Sequence, residues 1–109
     1  MTYRELIRWA KDNDVEKRAN DGLAIAFERF KQLYPDEFDI VFDGFVSSKL
    51  SVYFDNIKLC VDKWLDVHSA VVVIQGSLRY DCRYVGSYEV IFDLNGKVID
   101  DVLEIDFNE

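Results

Sequence analysis

The 109 residues hold one proline, one histidine, one methionine, two cysteines and five glycines. Two cysteines cannot frame a disulfide scaffold. The spacing of Cys60 and Cys82 matches no metal motif, so both read as buried, reduced thiols. A single histidine without a cysteine cluster gives zinc no ligand set, and the EF-hand spacing that calcium needs is missing. No phosphate-binding or dinucleotide-binding glycine fingerprint is present, so no cofactor is expected. No apolar run approaches the roughly 20 residues of a membrane span, and residues 1–12 are charged and amphipathic, unlike a signal peptide. The expectation is a cytoplasmic protein with no membrane partner. Positive charge is short as well: 13 Lys+Arg stand against 21 Asp+Glu, a net −8. Residues 1–34 carry seven basic and six acidic side chains, and residues 35–109 carry six and fifteen. The second part therefore holds the acid, and the positive footprint of a nucleic-acid partner is absent.

What is abundant is apolar and aromatic. Half of the residues are hydrophobic, with two Trp, six Tyr and eight Phe, enough for one folded core in a single domain spanning 1–109. Thr2-Tyr3-Arg4-Glu5 fits a capping box and predicts a helix over about Tyr3–Asp12. Asn13 or Asp14 caps a second helix, whose stripe runs Val15, Ala19, Gly22, Leu23, Ala26, Phe27, Phe30, Leu33 and Tyr34. Gly22 lies on that stripe, where it allows close approach to a sheet; a break at Asn20-Asp21-Gly22 is the alternative. Pro35 ends the helix.

Phe38, Ile40 and Phe42 alternate with Asp39, Val41 and Asp43, and Leu50, Val52 and Phe54 alternate again. Two strands are predicted there, joined by a loop over 44–49. Residues 56–68 fit two templates. As a helix, Ile57, Cys60, Val61, Trp64, Leu65 and His68 share one face; as a strand, only Ile57, Leu59 and Val61 alternate cleanly. The longer match favours the helix.

From Val71 to Phe107 the chain reads as three long antiparallel strands. Val72, Ile74, Leu78, Tyr80, Cys82 and Tyr84 fall on one face, and the pattern restarts after Gly86 with Tyr88, Val90, Phe92 and Leu94. Asn95-Gly96 is a strong hairpin signal. A two-residue turn pairs Phe92 with Ile99 and Tyr88 with Leu103; a three-residue turn pairs Phe92 with Val98. A bulge at Asp100-Asp101 would reconcile the two. Phe27 and Phe30 are expected to pack on Val90 and Phe92. The fold class is α+β, with N-terminal helices on one face of a curved antiparallel sheet, in the order helix–helix–strand–strand–helix–three strands.

That order, from the helix ending at Leu33-Tyr34-Pro35 through Asp93-Leu94-Asn95-Gly96-Lys97, resembles the nuclear transport factor 2-like, or cystatin-like, cone architecture. The resemblance implies helices packed into a strongly curved sheet around an apolar pocket. It carries over no catalytic motif, and many members of that group are not enzymes.

Candidate site residues are few. His68 is the one candidate general base, and Asp62, Asp66 and Asp81 are carboxylates of the type that would orient it. A helix-end histidine is the bland reading. Tyr80, Tyr84, Tyr88 and Trp64 are candidates for lining a pocket, against the simpler reading that they are core. Asp100, Asp101, Glu104 and Asp106 crowd one strand and form a candidate acidic face; solvated edge carboxylates are the plain alternative. The leading expectation is a non-catalytic acidic binding or regulatory module, with an apolar pocket between helices and sheet. The alternatives are an inhibitor or immunity-type protein covering a basic partner such as a nuclease, and a small pocket enzyme using His68 or an Asp/Tyr pair. Partners are thus a protein or a small apolar ligand, on a monomer or homodimer.

Overall fold

A computed structural model of the chain describes residues 1–61 and 70–106. Three helices come first: α1 (Tyr3–Asp12), α2 (Val15–Leu33) and α3 (Pro35–Val41). A 3₁₀ turn over Ser47–Lys49 leads into four strands, β1 (Leu50–Val61), β2 (Ala70–Tyr80), β3 (Arg83–Asp93) and β4 (Val98–Ile105). The strands form one open antiparallel sheet in sequence order, with β1 and β4 at its edges. The α+β class and the helices on one sheet face follow the sequence expectation. Among the described residues no helix is long and apolar enough to cross a membrane.

The capping box at α1 is formed: the Thr2 hydroxyl accepts from Glu5 N, and the Glu5 carboxylate accepts from Thr2 N. Between α1 and α2 the chain turns at Asp14, whose φ is +54°. Val15, Ala19, Leu23 and Phe27, at helical spacing, are the buried face of α2. They meet the inward side chains of the sheet: Ile74, Leu78 and Tyr80 of β2, and Val85, Tyr88, Val90 and Phe92 of β3.

Gly22 works as its position on the stripe suggested. A Cβ there would sit 2.6 Å from Tyr88 Oη. The missing side chain leaves room for the Tyr88 hydroxyl against the helix, with Tyr88 1% exposed. Its hydroxyl then donates to Asp101 Oδ2 at 2.7 Å on the neighbouring strand. Burial first, and this carboxylate second, push the Tyr88 phenol well above its ordinary pKa of 10.0.

The core has two ends. At one, Phe27, Phe38, Phe42, Phe45 and Tyr80 make edge-on and stacked contacts with ring centroids 5.1–5.8 Å apart. At the other, the β3–β4 turn is clamped by the helices. Trp9 Nε1 donates to Leu94 O at 2.9 Å, and Trp9 meets Phe92 edge-on. The Arg18 guanidinium lies 5.2 Å from the Phe92 ring and donates to Gly96 O. Gly96 takes φ +85°, and a Cβ on it would run into Asn13. Phe92 is therefore met by Trp9 and Arg18, while Phe27 finds its ring partners in α3 and Phe45. Phe27, Val90 and Phe92 nonetheless belong to one core cluster, with half-buried Phe30 packed against it.

Four predicted details change. Residues 38–41 are helical and Phe42 is the C-cap: Phe38 and Phe42 lie one turn apart on the core face, and Ile40 is 77% exposed. Pro35, which ends α2, also opens α3 at a first-turn position where its missing N–H costs nothing. Residues 56–61 continue β1, pairing Asn56 with Gln75 through Val61 with Ala70. The helix predicted for 56–68 is thus absent over 56–61, and its remaining residues, with Trp64 and His68, lie outside the described residues. Strand β2 ends at Tyr80 and reverses at Asp81 and Cys82, both with positive φ (52° and 68°), while Gly86 lies within β3. In the last hairpin Phe92 pairs with Val98 and Tyr88 with Leu103. Both anticipated registers therefore occur, joined by a bulge at Ile99 rather than at Asp100-Asp101.

Candidate functional site

A cleft of about 460 Å³ opens where the α1–α2 junction stands over β1. Its apolar side is Ile7 and Ala10 of α1, Val15 of α2, Phe54 and Ile57 of β1, and Ile74 of β2. Val15 and Ile74 are also core residues, so this side is anchored in the packed interior. The polar side is Lys11, Asp14, Glu16, Asp55 and Asn56, all exposed. The volume falls in the range of about 300–1,000 Å³ typical of small-ligand pockets.

Two departures from regular backbone shape the lip. Asp14 holds the N-cap position of α2 in the left-handed region, and its side chain makes no capping hydrogen bond. An N-cap aspartate ordinarily accepts from the second or third helical N–H. On the other side, the β1–β2 register slips between Phe54 and Asn56, leaving Asp55 as a bulge residue. Below it, Val52 and Phe54 face the core; above it, the ladder resumes with Ile57 opposite Ile74. A bulge bends its strand and re-aims a side chain. Here it places Asp55 across the cleft from the helix junction.

The tyrosines named from sequence do not share this site. Tyr88 is buried under Gly22 and bonded to half-buried Asp101, an Asp–Tyr pair that lines no part of the cleft. Tyr80 is core; its hydroxyl accepts from Val46 N at 2.8 Å, and it borders a smaller recess of about 340 Å³ with Lys49, Asp81 and Arg83. Tyr84 is 53% exposed at the start of β3. Trp64 and His68 lie outside the described residues.

The acidic residues of β4 divide. Asp101 turns inward to Tyr88, and Asp100 and Glu104 are exposed on the opposite face, with exposed Asp106 just beyond the strand. Asp100 also accepts from Asp101 N at 2.8 Å. Among the described residues no three His, Cys, Asp or Glu side chains converge as a metal site. Both cysteines are free thiols, Cys60 half-buried and Cys82 exposed in the β2–β3 turn, so the burial expected for Cys82 is not found.

The cleft went unrecognised in the sequence because its lip, Asp14 and Asp55, is set by two irregularities of the backbone. Two signals were there: Asn13-Asp14 adjoining at a helix junction, and the jump in apolar phase from Phe54 to Ile57. No family model matches the chain, and no curated protein or solved structure matches it either.

Proposed function

We propose that this protein is a non-catalytic binding module whose site is the cleft between the α1–α2 junction and β1. One observation carries the reading: about 460 Å³ of open space bounded on one side by Ile7, Ala10, Val15, Phe54, Ile57 and Ile74. Apolar surface left open to water is what a ligand's apolar group can cover, with about 25 cal/mol gained per Å² removed from water. The perturbed phenol, Tyr88, is used elsewhere, as an internal strut. The likeness to the nuclear transport factor 2-like architecture enters the proposal as well, because helices over one face of a curved sheet with a recess between them is the organisation it implies. The two free thiols suit a reducing compartment such as the cytoplasm.

Ligand-observed NMR with an apolar fragment set tests the reading. Fragments should bind the wild-type protein and lose binding to Ala10→Phe, which fills the cleft from α1. Fragments that bind both proteins alike would remove it.

A second reading rests on a different face. Asp100, Glu104 and Asp106 are exposed along one edge of the sheet, away from the helices. That arrangement suits rim contacts with a basic protein, as an inhibitor or immunity-type protein would make, and such contacts speed association at low salt. Capture of a basic partner at low salt and its loss at high salt would support this reading; salt-indifferent capture would count against it.

A further inference from the structure

The cleft has a charge asymmetry that its volume does not require. Three carboxylates, Asp14, Glu16 and Asp55, stand on its polar side against one ammonium, Lys11. Asp14 forgoes the capping bond its position offers, and among the described residues no hydrogen bond or ion pair engages any of the three carboxylates, although the Asp14 charge reaches Lys17 at longer range. The two that flank the opening are held there by unusual backbone, Asp14 at φ +54° and Asp55 in the bulge. We propose that the cleft binds a small organic cation, an ammonium carried on an apolar body. The body lies along Ala10, Ile57 and Ile74, and the charged end sits between Asp14 and Asp55. The inference rests on the cleft reading above and adds the ligand's charge to it.

The probes are octylammonium, octanol and octanoate below their aggregation concentrations, which share one apolar chain and differ in head-group charge. Calorimetry on the wild-type protein should rank them in that order, with octylammonium favoured over octanol by about fivefold or more, the scale of two or three partly solvated ion pairs. At about 1 M salt, where charges are screened beyond roughly 3 Å, that preference should collapse. The Asp14→Asn, Asp55→Asn double variant should bind octylammonium and octanol alike. Lys11→Met should bind octylammonium more tightly than the wild type does, a gain that misfolding cannot mimic. Equal affinity of the wild type for octylammonium and octanol at low salt would overturn this inference and leave the cleft reading standing. Failure of all three probes to bind would overturn both.

Discussion

Replacing Gly22 by alanine tests the link between α2 and the sheet, because its two effects oppose each other. In a helix interior, alanine is favoured over glycine by about 1 kcal/mol. Against that, the new Cβ falls 2.6 Å from Tyr88 Oη and 3.8 Å from Cζ. The ring cannot swing aside cheaply: Tyr88 is 1% exposed and packed in the core. Relief requires moving the hydroxyl, which breaks or stretches its 2.7 Å bond to Asp101. A hydrogen bond to a charged group is worth about 1.5–3 kcal/mol, and Asp101 is only half-buried, which favours the lower end. Overpacking adds about 1–3 kcal/mol. Gly22→Ala should therefore destabilise by about 2–4 kcal/mol, measured by urea unfolding. The stronger statement is a reversal of sign. In Tyr88→Phe the atom that clashes is gone, and the remaining contact, 3.8 Å to Cζ, is ordinary packing. Gly22→Ala in that background should be neutral or stabilising by up to about 1 kcal/mol. An equal loss in both backgrounds, or a gain in the wild type, would refute the argument that the Tyr88 hydroxyl is what requires glycine.

Other outcomes follow from the same structure. The Tyr88 phenol is held neutral in the fold by burial and by Asp101, with its pKa above the ordinary 10.0. Its contribution is therefore complete below about pH 10 and declines at higher pH, where the unfolded chain ionises first; unfolding midpoints between pH 9 and 11.5 should fall less steeply in Tyr88→Phe. Phe42→Ala, at a side chain 1% exposed among Phe27, Phe38, Phe45 and Tyr80, should cost about 3–5 kcal/mol. Ile40→Ala, 77% exposed on the far side of α3, should change stability by less than about 0.5 kcal/mol; comparable losses at both positions would favour a strand over a helix. Arg18→Met keeps the aliphatic stem and loses the donor to Gly96 O and the cation over Phe92, so it should cost about 2–3 kcal/mol and speed amide exchange at Gly96 and Lys97. Asp100→Asn with Asp106→Asn should leave the fold intact and slow association with any basic partner, through the on-rate.

Much of the fold is legible where local chemistry and packing agree. Thr2 and Glu5 announce the start of α1, the α2 stripe runs on its predicted period, and Asn95-Gly96 marks the last reversal. The misread segments are those where one pattern serves two structures. Phe38 and Phe42 are four apart and satisfy a helix face as well as an alternating strand; Pro35 with Asp36 and Glu37 in the first turn was the signal for the helix. In β1 the bulge at Asp55 shifts the inward positions from Val52 and Phe54 to Ile57 and Leu59, so an unbroken strand shows a broken alternation. At Asp81-Cys82 the chain reverses through two non-glycine residues of positive φ, and Tyr80, Cys82 and Tyr84 carry the apparent alternation straight across the turn. The cleft was least legible because its lip is made of such irregularities. The Asp14 backbone and the Asp55 bulge are settled by how the helices meet the sheet, which no local window contains.

Amide chemical-shift mapping of the ¹⁵N-labelled protein during titration with octanol, the neutral member of the probe series, tests the binding site most directly. The account predicts saturable shifts concentrated at 10–16 and 54–57 and at Ile74, the segments that bound the cleft, with Asp100, Glu104 and the β2–β3 turn unmoved. Shifts that fail to saturate, or that gather on the acidic face of β4 or beside Tyr80, would contradict it.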